Sequence, residues 1–408
     1  MLLATTGSEG DIRPFYALGQ KLVAAGHDVK LAAADRWEKR AIALGIPFAA
    51  VDPPWNEENV QALFAKILAE RNPMKQLVIV LDGLADDQRL SVPPLKELAK
   101  AADVVVYPPL FVAAAAAARA VDKPHVSVQF APVHPSVMYG PTGANWGRPL
   151  NRVMWWMAKR MMRRATDARL NGIVREAGLP EWHDILLESA SSKLLDLVAV
   201  SPSFMPKDPS WGEQIVVTGY WFLDEPTPAS AELEAFVKEG DPPAVIGFGS
   251  MTGLDAKKTM EIITDAARGL ERRVVVQSGW AGLSAEDVPK NVHVASFVPH
   301  AWLFSRAACV VHHGGAGTTA AAMRAGVPQT IVWHLGDQPV WGKRVAEKGL
   351  GLPPRSHHDL DAKWLRASIQ RMTKDEAMKS RAKEMGEAIA KEDGLARAVS
   401  AIEEAIKA

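Results

Sequence analysis

The residues best suited to chemistry form a block rich in histidine and glycine, 312–319, which reads HHGGAGTT. The block follows the apolar run 308–311 and opens a helical pattern of small residues. Glycines let a backbone approach a ligand closely, and the free N–H groups and dipole of a helix start favour an anion such as a pyrophosphate. The hydroxyl of Thr318 and the ring of His313 add further donors. We therefore predict a phosphate-binding loop, the alternative being a glycine-rich turn with two structural histidines.

Two more loops that follow apolar runs carry polar residues. The segment 247–253 reads GFGSMTG and places Ser250 where it could reach a phosphate opposite His313. The segment Gly336-Asp337-Gln338 sets a carboxylate beside an amide, a pair that can accept from and donate to neighbouring sugar hydroxyls. Alternatively, Asp337 caps the helix that follows. Ligands of open parallel sheets bind at the carboxyl ends of strands, so both loops are candidate binding segments.

A fourth loop follows the first predicted strand, 2–4, and reads TTGSEGDIRP over residues 5–14. Its glycines open the turn toward the expected interdomain cleft. Asp11 is either a functional carboxylate or an N-cap, with Pro14 in the first turn of a helix predicted over 15–25.

Residues 145–176 combine eight basic residues with two acidic ones, and tryptophan and methionine are interleaved among them. The pattern fits a helix that rests on a membrane surface or covers an apolar acceptor. A helix with one buried stripe and a solvated basic face fits equally well. Large apolar side chains here and earlier in the chain favour a large apolar ligand, and they include Trp55, Phe64, Trp155, Trp156 and Met161. His134, in a Pro-Val-His-Pro loop, is a further acceptor candidate, although loop histidines are usually structural.

These loops need parallel sheets to hold them. Short β-branched runs alternate with helical patterns, which predicts an α/β fold with two doubly wound domains. A proline-rich tract marks the linker, giving an N-terminal domain 1–222, a linker 223–243, a C-terminal domain 244–385 and a helical tail 386–408. Strands are predicted at 2–4, 29–33, 104–107, 125–129, 197–200, 215–218, 245–248, 274–277, 292–295, 309–311 and 330–332.

Composition excludes several classes of protein. The 408 residues hold 47 basic and 47 acidic side chains, which argues against a chain that binds nucleic acid over its whole length. The single cysteine, Cys309, excludes a disulfide framework or a thiolate metal cage. Adjacent histidines on an extended chain point to opposite faces, so His312 and His313 make a poor zinc site. With no secretory or membrane-spanning apolar run visible, we expect a soluble, cytoplasmic protein.

Four segments together resemble the two-domain (GT-B) glycosyltransferases of family 1, in the branch of sterol-type and antibiotic glycosyltransferases. These segments are 7–14, 247–253, 297–304 and 312–338. The resemblance implies Rossmann-like domains that face a cleft. It also implies inverting, metal-independent transfer of a hexose, with UDP-glucose as co-substrate and no further cofactor. The acceptor would be a hydrophobic alcohol or phenol of terpenoid, sterol, macrolide or flavonoid type.

The resemblance also implies roles for single residues. Asp11 would be the general base. The donor would be held by Ser250, Trp280, Phe297, Val298, His300, His313, Gly315, Gly317, Thr318, Asp337 and Gln338. Candidate acceptor contacts, which do not follow from the resemblance because the acceptor-side residues 50–170 match no pattern of the family, are Gly10, Trp55, His134, Trp155 and Trp156. Glu9 and His334 depart from the residues usual in the branch, basic for the first and apolar for the second.

Three other functions remain open. The donor could be a TDP-deoxysugar used in antibiotic tailoring. A nucleotide-sugar 2-epimerase shares the two-domain fold, although the glycine block fits it less well. The chain could also be an auxiliary subunit that binds nucleotide without turnover. The joint presence of four candidate site residues argues against this function: Asp11, His313, Asp337 and Gln338.

Overall fold

A computed structural model describes residues 1–53, 57–225, 229–249, 256–277, 288–296 and 298–407, without the side chains of 57–60 and 73–74. The chain divides into two compact units. Unit 1 comprises residues 1–63, 77–223 and 392–408, and unit 2 comprises 64–76 and 224–391. The main passage between them therefore falls at the start of the predicted linker, and the end of the predicted tail returns to unit 1.

Unit 1 is built on a seven-stranded sheet whose strand pairs are all parallel, in the order β3-β2-β1-β4-β5-β6-β7. Such a sheet is covered on both faces, and its strands are accordingly short apolar runs. The strands are β1 Leu2–Ala4, β2 Lys30–Ala33, β3 Phe48–Ala50, β4 Val105–Tyr107, β5 His125–Gln129, β6 Leu195–Val198 and β7 Ile215–Val217. The helices are α1 Glu9–Ala24, α2 Glu38–Ala43, α3 Glu57–Ala69, α4 Pro73–Lys100, α5 Val112–Ala120, α6 Arg148–Glu176, α7 Ile185–Ala190 and α15 Gly394–Lys407, with 64–76 of α3 and α4 assigned to unit 2.

Two helical layers cover this sheet. On one side lies α5, whose residues 112–118 are one valine and six alanines, all fully buried. Small side chains allow this helix to be enclosed on every side, and it packs against α6 and α7. On the other side α1 packs against α15, with Leu18 and Ile402 in one apolar cluster.

Unit 2 holds a six-stranded sheet, also parallel in every pair, in the order β10-β9-β8-β11-β12-β13. The order places β8, β11 and β12 side by side. Because these strands are parallel, the loops that follow them all start at the carboxyl end of the sheet. The strands are β8 Ala244–Gly247, β9 Val274–Gln277, β10 Val292–Ala295, β11 Cys309–His312, β12 Gln329–Trp333 and β13 Arg355–Ser356. The helices are α8 Ala231–Lys238, α9 Ala256–Arg268, α10 His300–Phe304, α11 Ala316–Arg324, α12 Gln338–Glu347, α13 Ala362–Lys374 and α14 Glu376–Ala390.

Two of the strands were missed by sequence reasoning, and one helix start is wrong. β3 and β13 are short edge strands with half-exposed residues, so they carry no apolar run. Helix α1 begins at Glu9 rather than at the predicted 15, because Ser8 is its N-cap and the chain tolerates Pro14 inside the helix. Asp11 is consequently the third helical residue and not the N-cap.

Among the described residues, every helix is too short or too polar to cross a lipid bilayer.

Candidate active site

The loop after β11 is a turn that contains two glycines and leads into the N-terminus of α11. Gly314 has φ +93°, and a Cβ added there would lie 2.6 Å from Cγ2 of Ile331, so only glycine fits. Gly315 is the N-cap of α11, and the first intrahelical bond runs from Thr319 N–H to Gly315 C=O at 2.9 Å. The amides of the first turn of α11, residues 316–318, have no helical acceptor four residues back, and they carry the positive end of the helix dipole. This geometry suits a bound anion.

His312 stabilises the turn through two buried hydrogen bonds. It is fully buried, its Nδ1 accepts the N–H of Gly314 at 3.1 Å, and its Nε2 lies 2.7 Å from Oε1 of Gln329. Since Nδ1 is the acceptor, Nε2 carries the proton. Burial lowers the pKa of His312 to about 3, so the ring is neutral at pH 7.

His313 points away from that core and lies between two glycines. A Cβ on Gly315 would lie 2.6 Å from His313 Nε2, and one on Gly249 would lie 3.3 Å from Cε1. Burial lowers the pKa of His313 to about 4, against the opposing effect of the Gly247 backbone. The ring is therefore neutral near pH 7 before a ligand binds, whereas sequence reasoning treated it as a charged donor.

Asp337 and Gln338 follow β12, the strand that lies next to β11, and they start helix α12. Gln338 is buried, and its Oε1 accepts the N–H groups of His334 at 2.7 Å and Leu335 at 3.1 Å. Asp337 occupies the N-cap position of α12 but does not cap it with its side chain, and its carboxylate accepts from Nε1 of Trp341 at 2.6 Å. Of the two residues, Asp337 is exposed to solvent and Gln338 is buried.

Behind them lies a stack of histidines that sequence reasoning missed. The rings of His334 and His357 stack with centroids 4.5 Å apart, and His357 lies 3.9 Å from His358. Burial lowers the pKa of all three, and the neighbouring imidazoles contribute to the shifts of His334 and His357. Neutral rings can stack without charge repulsion, so these histidines pack as apolar groups would.

In unit 1, Asp11 lies in the first turn of α1, just after β1. Its Oδ2 accepts two hydrogen bonds from Ser8, from N–H at 2.7 Å and from Oγ at 2.8 Å. The carboxylate also packs on the bare α-carbon of Gly7, where φ is +110° and a Cβ would lie 2.5 Å from Oδ2. These contacts fix one oxygen of the carboxylate.

Two residues far away in sequence clamp the loop that carries Asp11. Arg36 donates from Nη2 to the carbonyl of Gly7 at 2.6 Å. Asp52 accepts from Thr6 Oγ1 and from Ser91 Oγ, both at 2.9 Å. No motif connects Arg36 and Asp52 to the loop in the sequence, because β2 and the end of β3 bring them there.

The surroundings of Asp11 shift its proton affinity. Its side chain is accessible to water, yet the protein atoms around it desolvate the carboxylate and raise its pKa above the usual value. The hydrogen bonds from Ser8 and the charge of Arg36 oppose this rise. Glu9, the neighbouring carboxylate, is instead paired with Arg40 and with Arg13.

The comparisons with known proteins agree with this architecture. Residues 1–89 match the glycosyltransferase family 28 N-terminal domain, and residues 261–404 match the C-terminal domain of erythromycin biosynthesis protein CIII-like proteins. An O-mycaminosyltylonolide 6-deoxyallosyltransferase of Streptomyces fradiae is 33% identical over 98% of the chain and 96% of its own length. The chain belongs to the GT-B glycosyltransferases.

Sterol enzymes are also among its relatives. A sterol 3-beta-glucosyltransferase of Arabidopsis thaliana is 32% identical over 98% of this chain, which spans 67% of that enzyme. The chain spans 34% of the corresponding enzyme of Saccharomyces cerevisiae. Among solved structures, the glycosyltransferase VinC in complex with dTDP aligns over 100% of both chains with a TM-score of 0.70 at 20% identity. The predicted GT-B fold is thereby confirmed.

Several residues of this glycosyltransferase stay as predictions from the resemblance. Ser250, Trp280, Phe297 and Trp55 lie outside the described residues. Val298 is buried and its carbonyl accepts from Nε2 of Gln277 at 2.7 Å, whereas the His300 ring stacks on Phe304 at 4.5 Å. Gly317 and Thr318 lie in the first turn of α11, and Gly10 lies in the first turn of α1.

The acceptor candidates of the glycosyltransferase lie in unlike environments. His134 is only 7% exposed, and its Nε2 lies 2.6 Å from the amide of Gln129 and 3.3 Å from Asp196. Trp155 donates to the carbonyl of Tyr139 at 2.7 Å, while Trp156 is 63% exposed. Adjacent helical residues differ by about 100° in direction, so the two tryptophans face different surroundings. An acceptor role for each remains a prediction.

The two adjacent histidines should respond differently to substitution. We expect His312→Leu to lower the free energy of unfolding by about 2 kcal/mol or more, because the Gly314 N–H and the Gln329 amide lose their buried partner. His313→Leu should cost much less stability, since this ring is only half-buried and sits in a glycine-walled slot. Urea unfolding of the two variants checks the difference, and equal losses would contradict it.

Proposed function

We propose that the enzyme transfers glucose from UDP-glucose, with inversion, to a hydroxyl of an apolar small molecule. The observation that carries the proposal is the turn after β11, where His313 and the amides of an open helix N-terminus share one anion-binding edge. A nucleotide diphosphate is the anion that this family of enzymes releases. Asp11 supplies the carboxylate that the reaction needs on the acceptor side.

In the proposed reaction, Asp11 accepts the proton of the acceptor hydroxyl while that oxygen attacks the anomeric carbon. The bond between the anomeric carbon and the diphosphate oxygen breaks on the opposite face, and UDP leaves. One displacement inverts the configuration. The oxygen of Asp11 that Ser8 does not hold is the one suited to take the proton, and its raised pKa makes it a stronger base than an ordinary aspartate.

On the donor side, the charge that develops on the diphosphate is stabilised by the first turn of α11 and by His313. Fixed amide dipoles need no reorganisation when the bond breaks, and they act without a metal. The negative charge of a bound diphosphate favours the protonated form of His313. Donor binding would therefore raise the pKa of His313 from about 4. Asp337 and Gln338, at the start of the helix that follows the neighbouring strand β12, would bind the sugar hydroxyls.

The relatives support this substrate class and also favour a second candidate donor. Glucosyl transfer to a sterol is the activity in the name of the plant relative, and it supports glucose and an apolar acceptor. The Streptomyces fradiae relative is named for a 6-deoxyallosyl group and matches over nearly its whole length. VinC, with the same fold, binds dTDP. A dTDP-6-deoxyhexose is therefore the second candidate donor.

One experiment distinguishes the candidates. The full-length enzyme is incubated with UDP-glucose or with a dTDP-6-deoxyhexose and a library of apolar alcohols and phenols, and products are identified by mass spectrometry. A hexose adduct formed with UDP-glucose is the expected result, whereas a deoxyhexose adduct formed only with the dTDP donor would replace it. Sugar interconversion without acceptor would indicate an epimerase. Tight UDP binding with no consumption of either donor would indicate an auxiliary subunit.

The acid limb of the rate profile should report on Asp11. Because the base must be ionised, kcat/KM should fall as the pH drops through the pKa of Asp11, which burial raises above the ordinary value of 3.8. Arg36 lowers that pKa, so Arg36→Met should move the limb to still higher pH. Arg40→Met is the matched control, since Arg40 pairs with Glu9. Equal displacement of the limb in both variants would contradict the assignment.

A further inference from the structure

Exposed apolar side chains of the described residues concentrate on one short stretch of unit 1. Of the eleven large apolar side chains that are exposed, six lie between 146 and 161, although the stretch is a small part of the chain. Trp146 precedes α6. The other five form what we call the outer stripe: Leu150, Val153, Trp156, Met157 and Met161.

The outer stripe is not the face by which α6 packs in its own unit. That inner face carries Asn151 and Ala158, which are buried, and Trp155, whose Nε1 is held by Tyr139. Asn151 donates to the carbonyl of Val137 at 3.0 Å. Helical spacing turns residues 150, 153, 157 and 161 away from this face. The first turns of α6 thus have two apolar faces, and only one is used by the fold.

Positive charge accompanies the outer stripe. Residues 140–166 contain no aspartate or glutamate, and their six basic residues are Arg148, Arg152, Lys159, Arg160, Arg163 and Arg164. Arg160 and Arg164 line a shallow groove together with Trp156, Met157 and Met161. Neither arginine forms an ion pair with any residue that the structure describes.

We propose that the outer stripe docks the enzyme on the surface of an anionic phospholipid bilayer. An amphipathic helix with tryptophan and methionine on one face and arginine beside them lies in the plane of the lipid headgroups. Its apolar side chains enter the acyl boundary, and the arginines remain at the level of the phosphates. The proposal does not depend on the transfer reaction proposed above.

Charge and shape favour lipid over the other possible occupants. A second copy of the chain in a two-fold dimer would place the same patch against itself and bring Arg160 and Arg164 close to the same two cations of the other copy. A small molecule needs a concave site that encloses most of its surface. The groove is lined by residues 156–165 of α6 alone, which one helix cannot close.

Vesicle flotation with the full-length protein tests the proposal. The protein should float with vesicles of phosphatidylcholine and phosphatidylglycerol, bind much less to phosphatidylcholine alone, and dissociate as salt is raised. The double variant Trp156→Ser/Met161→Ser should lower the bound fraction about tenfold by removing apolar burial. Arg160→Gln/Arg164→Gln should lower it about tenfold on anionic vesicles only.

Two matched control variants test whether vesicle binding depends on the outer stripe or on exposed apolar and basic side chains in general. Ile42→Ser/Ile406→Ser removes exposed apolar side chains from α2 and α15, and Lys363→Gln/Lys374→Gln removes exposed charges from α13. Both should float like the wild type. If the serine double variant fails to fold, the arginine pair decides, since those side chains are exposed.

Three results would overturn the proposal. One is a wild-type protein that does not float, or that floats equally with neutral and anionic vesicles. Another is a concentration-dependent dimer, seen by sedimentation velocity and abolished by Trp156→Ser/Met161→Ser, without vesicle binding. The third is an increase in acceptor KM for that variant without vesicle binding, which would assign the stripe to the acceptor.

Discussion

Asp11→Asn should lower kcat about a thousandfold, within the range that a general base contributes, while the Kd for UDP stays near the wild-type value. The amide keeps the shape of the side chain and can still accept the N–H of Ser8 at the start of α1. What it loses is the ability to take the proton of the acceptor hydroxyl. Rate measurements at saturating donor, together with calorimetric titration of UDP, check both halves of the expectation.

Glu9→Gln is the control for Asp11→Asn. Glu9 lies in the same first turn of α1, but Arg40 and Arg13 neutralise its carboxylate, so its loss should leave turnover near normal. The role of Asp11 as base would be refuted by an Asp11→Asn enzyme whose turnover stays within about tenfold of the wild type. Because UDP binding is followed separately, such a result would leave the donor assignment of unit 2 untouched.

Gly315→Ala should weaken UDP binding by about tenfold to a hundredfold, the range expected for one or two displaced hydrogen bonds. The new Cβ would lie 2.6 Å from Nε2 of His313, and Gly249 bounds the ring on its other side. The imidazole must therefore leave the slot from which, under the proposed function, it would face the diphosphate. Calorimetric titration measures the loss, and crystals of the variant would show the displaced ring.

Gly317→Ala, two residues further on, separates crowding of His313 from damage to the helix. Nothing lies within 4 Å of a Cβ built on Gly317, and alanine favours a helix. This variant should therefore unfold at the wild-type temperature or slightly above it. If Gly315→Ala binds UDP as tightly as the wild type, His313 is not a donor ligand. Lowered thermal stability of Gly317→Ala would show that the helix start itself is sensitive.

Together these tests assign different tasks to two helix starts. The first turn of α11 has amides without an acceptor in the helix, and the first turn of α1 carries a carboxylate whose pKa is raised. In α1, Asp11 itself satisfies the N–H of Ser8, so that terminus is already neutralised. Under the proposed function, the same local geometry would serve anion binding in one unit and base chemistry in the other.

The fold class, most of the strands and the glycine turn before α11 were predictable from the sequence. Apolar runs of β-branched residues alternate with helical patterns, and this alternation depends only on neighbours along the chain. Glycines followed by a helix start predicted this turn for the same reason, since Gly314, Gly315 and α11 are contiguous. Its role in binding an anion stays a prediction. The opposite orientations of His312 and His313 follow from the alternation of side chains along a strand.

Only the tertiary structure decided how the side chains of the site are paired and protonated. Arg36 and Asp52 reach the Asp11 loop because β1, β2 and β3 lie side by side, and strand order is not written in local spacing. The neutral state of His313 and the raised pKa of Asp11 come from desolvation by residues distant in sequence. The same holds for α6, whose sequence fitted a buried stripe, an acceptor wall or a membrane face equally. Its three-dimensional packing fixed which of its apolar residues the fold uses and which remain exposed.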